Sequence, residues 1–328
     1  MFTHGDRIGS RYVLDARVGS GAMGEVWRAE DDQGNRVAVK VLMPQLASNP
    51  DVVERFIQER RILTRIDDPH VVRVRDMVME SETLAIVMEF VDGPDLASSL
   101  RQRGPLGDRS AAVIGAGICR GLAAVHAANI CHRDVKPANI LLLPQGPDQL
   151  PAPRLTDFGV SKIVGDSTAA ATALAGTPNY LAPELLTGHA PSPASDLYSF
   201  GVLLHEALTG RTPFTGTNAA VMNAHLHQTP LRPPEVGDRM WRVIATCLAK
   251  DPAGRPASAL LLAEELEAIA SGGPPLQFVT PMGWSSPAPA ASGATVNWDS
   301  PVPPRRQPDR RGRLTVVLPG AAGRHPPT

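Results

Sequence analysis

With 328 residues, 43% of them hydrophobic and 20% charged, and a formal net charge of -1, the chain can hold one large or two modest domains around a substantial core. The near-zero charge gives no bulk attraction to nucleic acid or anionic membrane. Three scattered cysteines, Cys119, Cys131 and Cys247, fit neither a disulfide framework nor a zinc site.

The N-terminus lacks the basic-then-apolar pattern of a signal peptide. The longest apolar stretch, 111–130, is interrupted by Arg120 and His126. A cytoplasmic protein without a membrane span is therefore expected. Residues 1–11 read as an N-terminal extension. Short β-favouring runs follow at 11–18, 26–29 and 37–42, the last two separated by the turn residues Asp31-Asp32-Gln33-Gly34-Asn35. A helix is predicted over 52–66, where Val53, Phe56, Ile57, Ile62 and Leu63 fall on roughly one face, and two more strands over 71–79 and 84–90. After Asp92-Gly93-Pro94 the period changes to that of helices, at 96–103, 109–128, 195–209, 218–227, 240–249 and 257–270. The pattern predicts an α+β, two-lobed domain over 12–270. Its small β-rich lobe is 12–91, its larger helical lobe 92–270, and its hinge lies near 89–93. From Ser271 to Thr328, proline, glycine, serine and alanine dominate, with arginines at 305, 306, 310, 311 and 313. Such composition cannot bury enough apolar surface to offset chain entropy, so a disordered tail is expected. Its arginines could meet an acidic membrane, nucleic acid or a partner protein, but a solvated tail is the favoured reading; Thr315 beside them is a further phosphosite candidate.

Four segments carry chemistry. Val18-Gly19-Ser20-Gly21-Ala22-Met23-Gly24-Glu25-Val26 contains GxGxxG, a pattern shared with dinucleotide-binding turns. Here the glycines lead into Val26-Trp27-Arg28-Ala29, a turn and Val37-Ala38-Val39-Lys40. That is a strand hairpin rather than a strand-turn-helix, and its backbone N–H groups can close over phosphates. Lys40 reaches inward and needs a carboxylate partner to stay charged. Glu59 on the predicted helix is the first candidate and Glu54 its rival. Third comes Cys131-His132-Arg133-Asp134-Val135-Lys136-Pro137-Ala138-Asn139, and fourth Asp157-Phe158-Gly159.

These segments match, in order and approximate spacing, the signature set of protein kinases. Residues 12–270 resemble the eukaryotic-like serine/threonine protein kinases of bacteria. The resemblance implies a bilobal fold with ATP and Mg2+ between the lobes and transfer of the γ-phosphoryl group to Ser or Thr of proteins, including the chain itself. It makes Asp134 the acceptor of the substrate hydroxyl's proton, Lys136 a γ-phosphate contact, and Asn139 and Asp157 the magnesium ligands. Val18, Val26, Ala38 and Leu141 would enclose the adenine, Met88 would guard the pocket, and Glu89 and Val91 would bond the adenine edge. His132 and Phe158 read as packing residues.

Residues 160–184 resemble an activation segment, closing on Gly176-Thr177-Pro178-Asn179-Tyr180-Leu181-Ala182-Pro183-Glu184, where Thr177 favours Ser/Thr substrates. A phosphate on Ser167, Thr168 or Thr172 would meet Arg133, with Thr168 and Thr172 preferred. Glu184 is expected to pair with Arg255, and Asp196 to brace the catalytic loop. A departure from the pattern is the longer connection 144–153, read as an extended hairpin turn. A nucleotide-binding scaffold and a small-molecule kinase are the rival readings. The presence of every catalytic position argues against the first, and the activation segment against the second.

Overall fold

In the computed structural model the described residues are 2–21, 23–80, 83–146, 149–164 and 178–276, with short pieces at 307–308 and 314–315. Strands β1 (Arg7–Ile8), β2 (Tyr12–Gly21), β3 (Gly24–Glu30), β4 (Arg36–Leu42), β5 (Val74–Glu80) and β6 (Thr83–Glu89) form a six-stranded sheet in the order β1-β2-β3-β4-β6-β5. The period of two in β4 gives this sheet two different faces. Val37, Val39 and Val41 join Trp27, Ala29, Ala85 and Val87 in a small core on one side. Ala38 and Lys40 point the other way with their cross-strand partners Met88, Val26 and Ile86. Ile86 and Met88 there belong to the main core together with Val52, Phe56 and Leu63 of a helix, α2 (Pro50–Leu63). The sequence supplies its start: Asn49 accepts a hydrogen bond from the Asp51 N–H and Pro50 occupies the first turn. A short helix, α1 (Pro44–Ala47), precedes it.

The first eleven residues are not a mere extension. Ile8 is buried and β1 pairs in register with β2, so the sheet begins at Arg7 rather than Tyr12.

The second lobe contains α3 (Leu96–Arg103), α4 (Asp108–Ala127), the hairpin β7 (Ile140–Leu143) and β8 (Ala152–Leu155), α5 (Val160–Val164), α6 (Pro183–Leu186), α7 (Pro193–Thr209), α8 (Asn218–His227), α9 (Asp238–Cys247) and α10 (Ala259–Ser271). By length and composition α4 could cross a membrane, yet it is the core helix of this lobe. Ile118, Cys119, Leu122 and Val125 are fully buried in the same cluster as Leu262 and Leu266 of α10, each such apolar side chain contributing about 1.5–3 kcal/mol. Arg120, which interrupts its apolar run, bonds both carboxylate oxygens of Glu267 on α10 at 2.6 and 2.8 Å. Cys119 and Cys247 lie in this core as free thiols, and burial pushes both up in pKa, Cys247 to about 12. Leu143 stands opposite Ala152 and Leu142 opposite Pro153, so residues 152 and 153 of the turn expected over 144–153 belong to β8 instead.

The boundary at Ser271 also moves. Arg239 donates to the carbonyls of Gly273 and Pro274, and the Leu276 N–H donates to Glu265, so the chain stays docked on the lobe to Leu276. Of the remaining tail, Gln307–Pro308 and Leu314–Thr315 pair as a short antiparallel ladder, within a separate unit, 285–328. The arginines at 305, 306, 310, 311 and 313 lie outside the described residues.

Candidate active site

The glycine segment is a hairpin between β2 and β3, with Gly19 opposite Val26 and Gly21 opposite Gly24. Ala22 at its tip lies outside the described residues. The Met23 carbonyl accepts from the Met43 N–H at 3.1 Å, tying the hairpin to the end of β4. Gly24 is required by geometry: φ is 150°, and a Cβ there would lie 2.0 Å from the Val41 carbonyl oxygen. Val26 stands opposite Lys40 and Ala38 opposite Met88, so those four residues line one face of the sheet. Val18 is exposed, and Leu141 pairs with Asp95 just past the hinge. The Glu89 N–H is bonded to the Arg73 carbonyl, which leaves only the carbonyl side of that residue for a ligand, and its carboxylate is paired with Arg154 of β8. Nothing in the motif pattern marks Arg154, whose position on a short strand beneath the hinge emerges only from the fold.

Below the hinge, the catalytic segment is held by a carboxylate from another helix. Asp196 of α7 accepts from the backbone N–H groups of His132 and Arg133 and from His126 Nε2, all at 2.8 Å. This bracing holds Arg133 at φ 68°, a conformation costly for a side-chain-bearing residue. His132 is fully buried, its Nε2 2.9 Å from the Thr156 carbonyl and its Nδ1 3.3 Å from the Asp134 backbone nitrogen. Asp134 emerges from this frame with its side chain 37% exposed. One of its oxygens accepts from Lys136 Nζ at 2.8 Å and from Asn139 Nδ2 at 2.9 Å. Asn139 Nδ2 also donates to the Asp134 carbonyl, which fixes the amide and leaves its Oδ1 as the acceptor for a cation.

The Thr156 N–H donates to the Asn139 carbonyl at 3.0 Å, bringing the next residue, Asp157, beside the loop. Asp157 also lies in the left-handed region, φ 65°, and its carboxylate meets Lys40 Nζ at 2.9 Å. Lys40, Asp134, Asn139 and Asp157 therefore converge. Asn139 and Asp157 offer oxygen donors of the kind a hard divalent cation takes, and Lys40 offers a buried ammonium for phosphate oxygens.

The expected Lys40–Glu59 pair is not formed. Among the described residues the ion-pair partner of Lys40 is Asp157, while Glu59 is buried on α2 and Glu54 is exposed beside Gln58. The reason lies in α5, a helical turn at the start of the segment 160–184. Its Val160, Ile163 and Val164 are buried, and Arg55 of α2 donates to the Ile163 carbonyl at 3.2 Å. Gly159, at φ 75°, leads into it, and a Cβ there would lie 2.8 Å from Leu63. Helix α2 is thus packed against α5, and Asp157, turned toward β4, takes the lysine.

The segment closing on Ala182-Pro183-Glu184 is described from Pro178. Tyr180 donates to Glu206 Oε2 at 2.5 Å while Ser199 Oγ donates to the Tyr180 carbonyl at 2.7 Å. Glu184 and Arg255 form the expected bridge through two hydrogen bonds of 2.7 Å, with Ser195 Oγ adding a third. Burial pushes the Glu184 carboxyl up, but Arg255 and Ser195 outweigh it and hold the pKa below the usual range. Gly176, Thr177, Ser167, Thr168 and Thr172 lie outside the described residues.

A family profile described as Protein kinase domain matches residues 12–266. The chain belongs to the protein kinase family. It is 44% identical to serine/threonine-protein kinase PkaA of Streptomyces coelicolor over 81% of its length, and 37% identical to PknA of Mycobacterium tuberculosis over 98%. It spans about half of PkaA (51%) and 75% of PknA. Its fold is similar to the PknI kinase domain of Mycobacterium tuberculosis, with TM-score 0.64 and 27% identity, covering 83% of this chain and 100% of that one. It is also similar to Rad53 residues 1–466 solved with AMP-PNP, with TM-score 0.62 and 28% identity, covering 76% and 64%.

Proposed function

We propose that this family member is a serine/threonine protein kinase, transferring the γ-phosphoryl group of MgATP to Ser or Thr hydroxyls of proteins. The observation that carries this reading is the convergence of Lys40, Asp134, Asn139 and Asp157. Magnesium, when bound, neutralises developing charge on the phosphates and holds them in line with the acceptor. Asn139 and Asp157 are the residues that would hold it. Lys40 binds phosphate oxygens from the sheet, and the backbone N–H groups of residues 19–24 cover them. Val26, Ala38, Met88 and Leu141 supply the apolar surfaces for the base. Asp134 orients the acceptor hydroxyl and takes its proton, and Lys136, bonded to the same carboxylate, steadies that oxygen and the transferring group. Serine or threonine as acceptor, and a location in the cytoplasm with its ATP supply, complete the proposal.

The test is phosphate incorporation from labelled ATP into a peptide substrate. Asp134→Asn keeps the size of the side chain and removes the base. A fall of about 10²- to 10⁴-fold is expected; full activity in the variant would sink the reading. We further propose that the chain phosphorylates itself at Thr168 or Thr172, with Arg133 receiving the phosphate. Mass spectrometry after incubation with ATP checks this, and an unmodified 165–177 segment in fully active protein would overturn it.

A further inference from the structure

Beneath the segment 178–181 lies a buried polar cluster with no part in the chemistry described above. Lys250, just past α9, sends its ammonium into a cage. Nζ donates to the His225 carbonyl at 2.8 Å and lies 3.3 Å from the Ala224 carbonyl, both in the last turn of α8. It sits 4.9 Å from the ring centre of Phe214 and 5.7 Å from that of Tyr198, and 3.4 Å from the Tyr198 hydroxyl. A cation at this point satisfies the His225 carbonyl, which the helix end leaves open, and gains from two aromatic faces.

The same helix end carries a second link. His225 is fully buried, and its Nδ1 lies 2.9 Å from the Tyr198 hydroxyl. Its ring packs edge-on against Tyr198 and Phe214. Among the described residues its Nε2 has no hydrogen-bond partner. The chain of contacts therefore runs from Lys250 through the end of α8 and His225 to Tyr198 of α7, the neighbour of Ser199. Next to Asn179 stands Tyr180, held from α7 by Ser199 and Glu206. The catalytic residues Asp134 and Lys136 are not part of this chain.

We propose that Lys250, with His225 and Tyr198, is a strut that sets the height of the Asn179–Tyr180 segment, making Lys250 a positioning residue for the protein substrate and not for the nucleotide. The proposal rests on the reading of the chain as a protein kinase. It assigns to α8 and the Lys250 turn a role in substrate affinity. Burial, with Arg255 nearby, pushes the Lys250 ammonium down to about 8, so the strut carries its charge at neutral pH and loses it in mildly alkaline solution. The ionisable groups facing it are Tyr198 from α7, His225 from α8 and Arg255, the last paired with Glu184. Burial pushes the Tyr198 phenol up and the His225 imidazole down to about 4, so neither changes charge between pH 7 and 9.

The experiment is steady-state kinetics of the full chain with a Ser/Thr peptide selected on the wild type, varying peptide and ATP separately. Lys250→Met keeps the bulk in the cage and removes the cation. The expected result is a rise in peptide KM of about 5- to 20-fold with ATP KM and kcat within about twofold, the pattern of a lost binding interaction. In the wild type, peptide KM should climb as pH passes 8, and this climb should be absent in Lys250→Met. Unchanged peptide KM, or a fall confined to kcat, overturns the proposal. If Lys250→Met fails to fold, Tyr198→Phe removes only the hydroxyl shared by His225 and Lys250. It should raise peptide KM about 2- to 5-fold, and no change there overturns the proposal equally. Wild-type protein that labels no peptide at all would instead remove the kinase reading on which the strut depends.

Discussion

At the scale of single residues, the strongest constraint is the Glu184–Arg255 pair. Arg255 is 3% exposed and also bonds the carbonyls of Ala194, Ala249 and Lys250, so one guanidinium gathers three segments. Removing one partner leaves the other charge buried. Arg255→Ala should therefore cost about 3–5 kcal/mol in a urea unfolding curve, more than the pair itself contributes. Gly24→Ala should also destabilise, by about 1–3 kcal/mol, through the positive φ and the contact with the Val41 carbonyl. A comparison with Gly21→Ala separates the two causes from general loss of glycine, because a Cβ at Gly21 meets nothing within 4 Å. An equal loss at both positions would contradict the steric argument.

At the scale of elements, the sequence was most informative where a motif met a regular period. Residues 96–103 and 218–227 form helices with the boundaries the apolar pattern predicts, and Gly19 to Val26 forms the hairpin that separates this loop from a dinucleotide turn. Short elements escaped. Arg7–Ile8 is too brief to show alternation, and Val160–Val164 is a single helical turn whose stability comes from packing on α2. The second is fixed by a neighbour far away in the chain, which no local pattern records. The consequence was largest at Lys40: its position on β4 was legible, but its partner depends on where α5 holds α2. Ile163→Ala should loosen that contact, with an expected cost of about 2–5 kcal/mol. Hydrogen exchange should show α2 amides exchanging faster in the variant, while those of α7 keep their protection. Unchanged α2 protection would show that α5 does not hold the helix.

For the molecule as a whole, two groups shape the response to acid. Burial, aided by Lys250, pushes His225 down to about 4 from its usual 6.5. Between those values the unfolded chain binds the proton and the folded one does not, so stability falls as pH drops through this window, by on the order of 3 kcal/mol. Glu184 adds to the loss at lower pH, because its folded carboxyl ionises below the unfolded one and its contribution disappears as pH falls through the folded value. Urea midpoints measured from pH 7 to 4 should decline, and His225→Gln should flatten the upper part of that decline; an unaltered slope would remove His225 as the cause. The outer limits of the molecule were less legible than its centre, because composition alone placed the tail at Ser271 while Arg239 and Glu265 keep the backbone attached to Leu276. That attachment has a practical side for recombinant work. A gene trimmed at residue 266, where the family profile stops, would strip Arg120 of Glu267 and Arg239 of its two acceptor carbonyls. It would also uncover the apolar flank of α4, so expression as inclusion bodies is the outcome to anticipate, and a stop codon placed after Leu276 is the remedy.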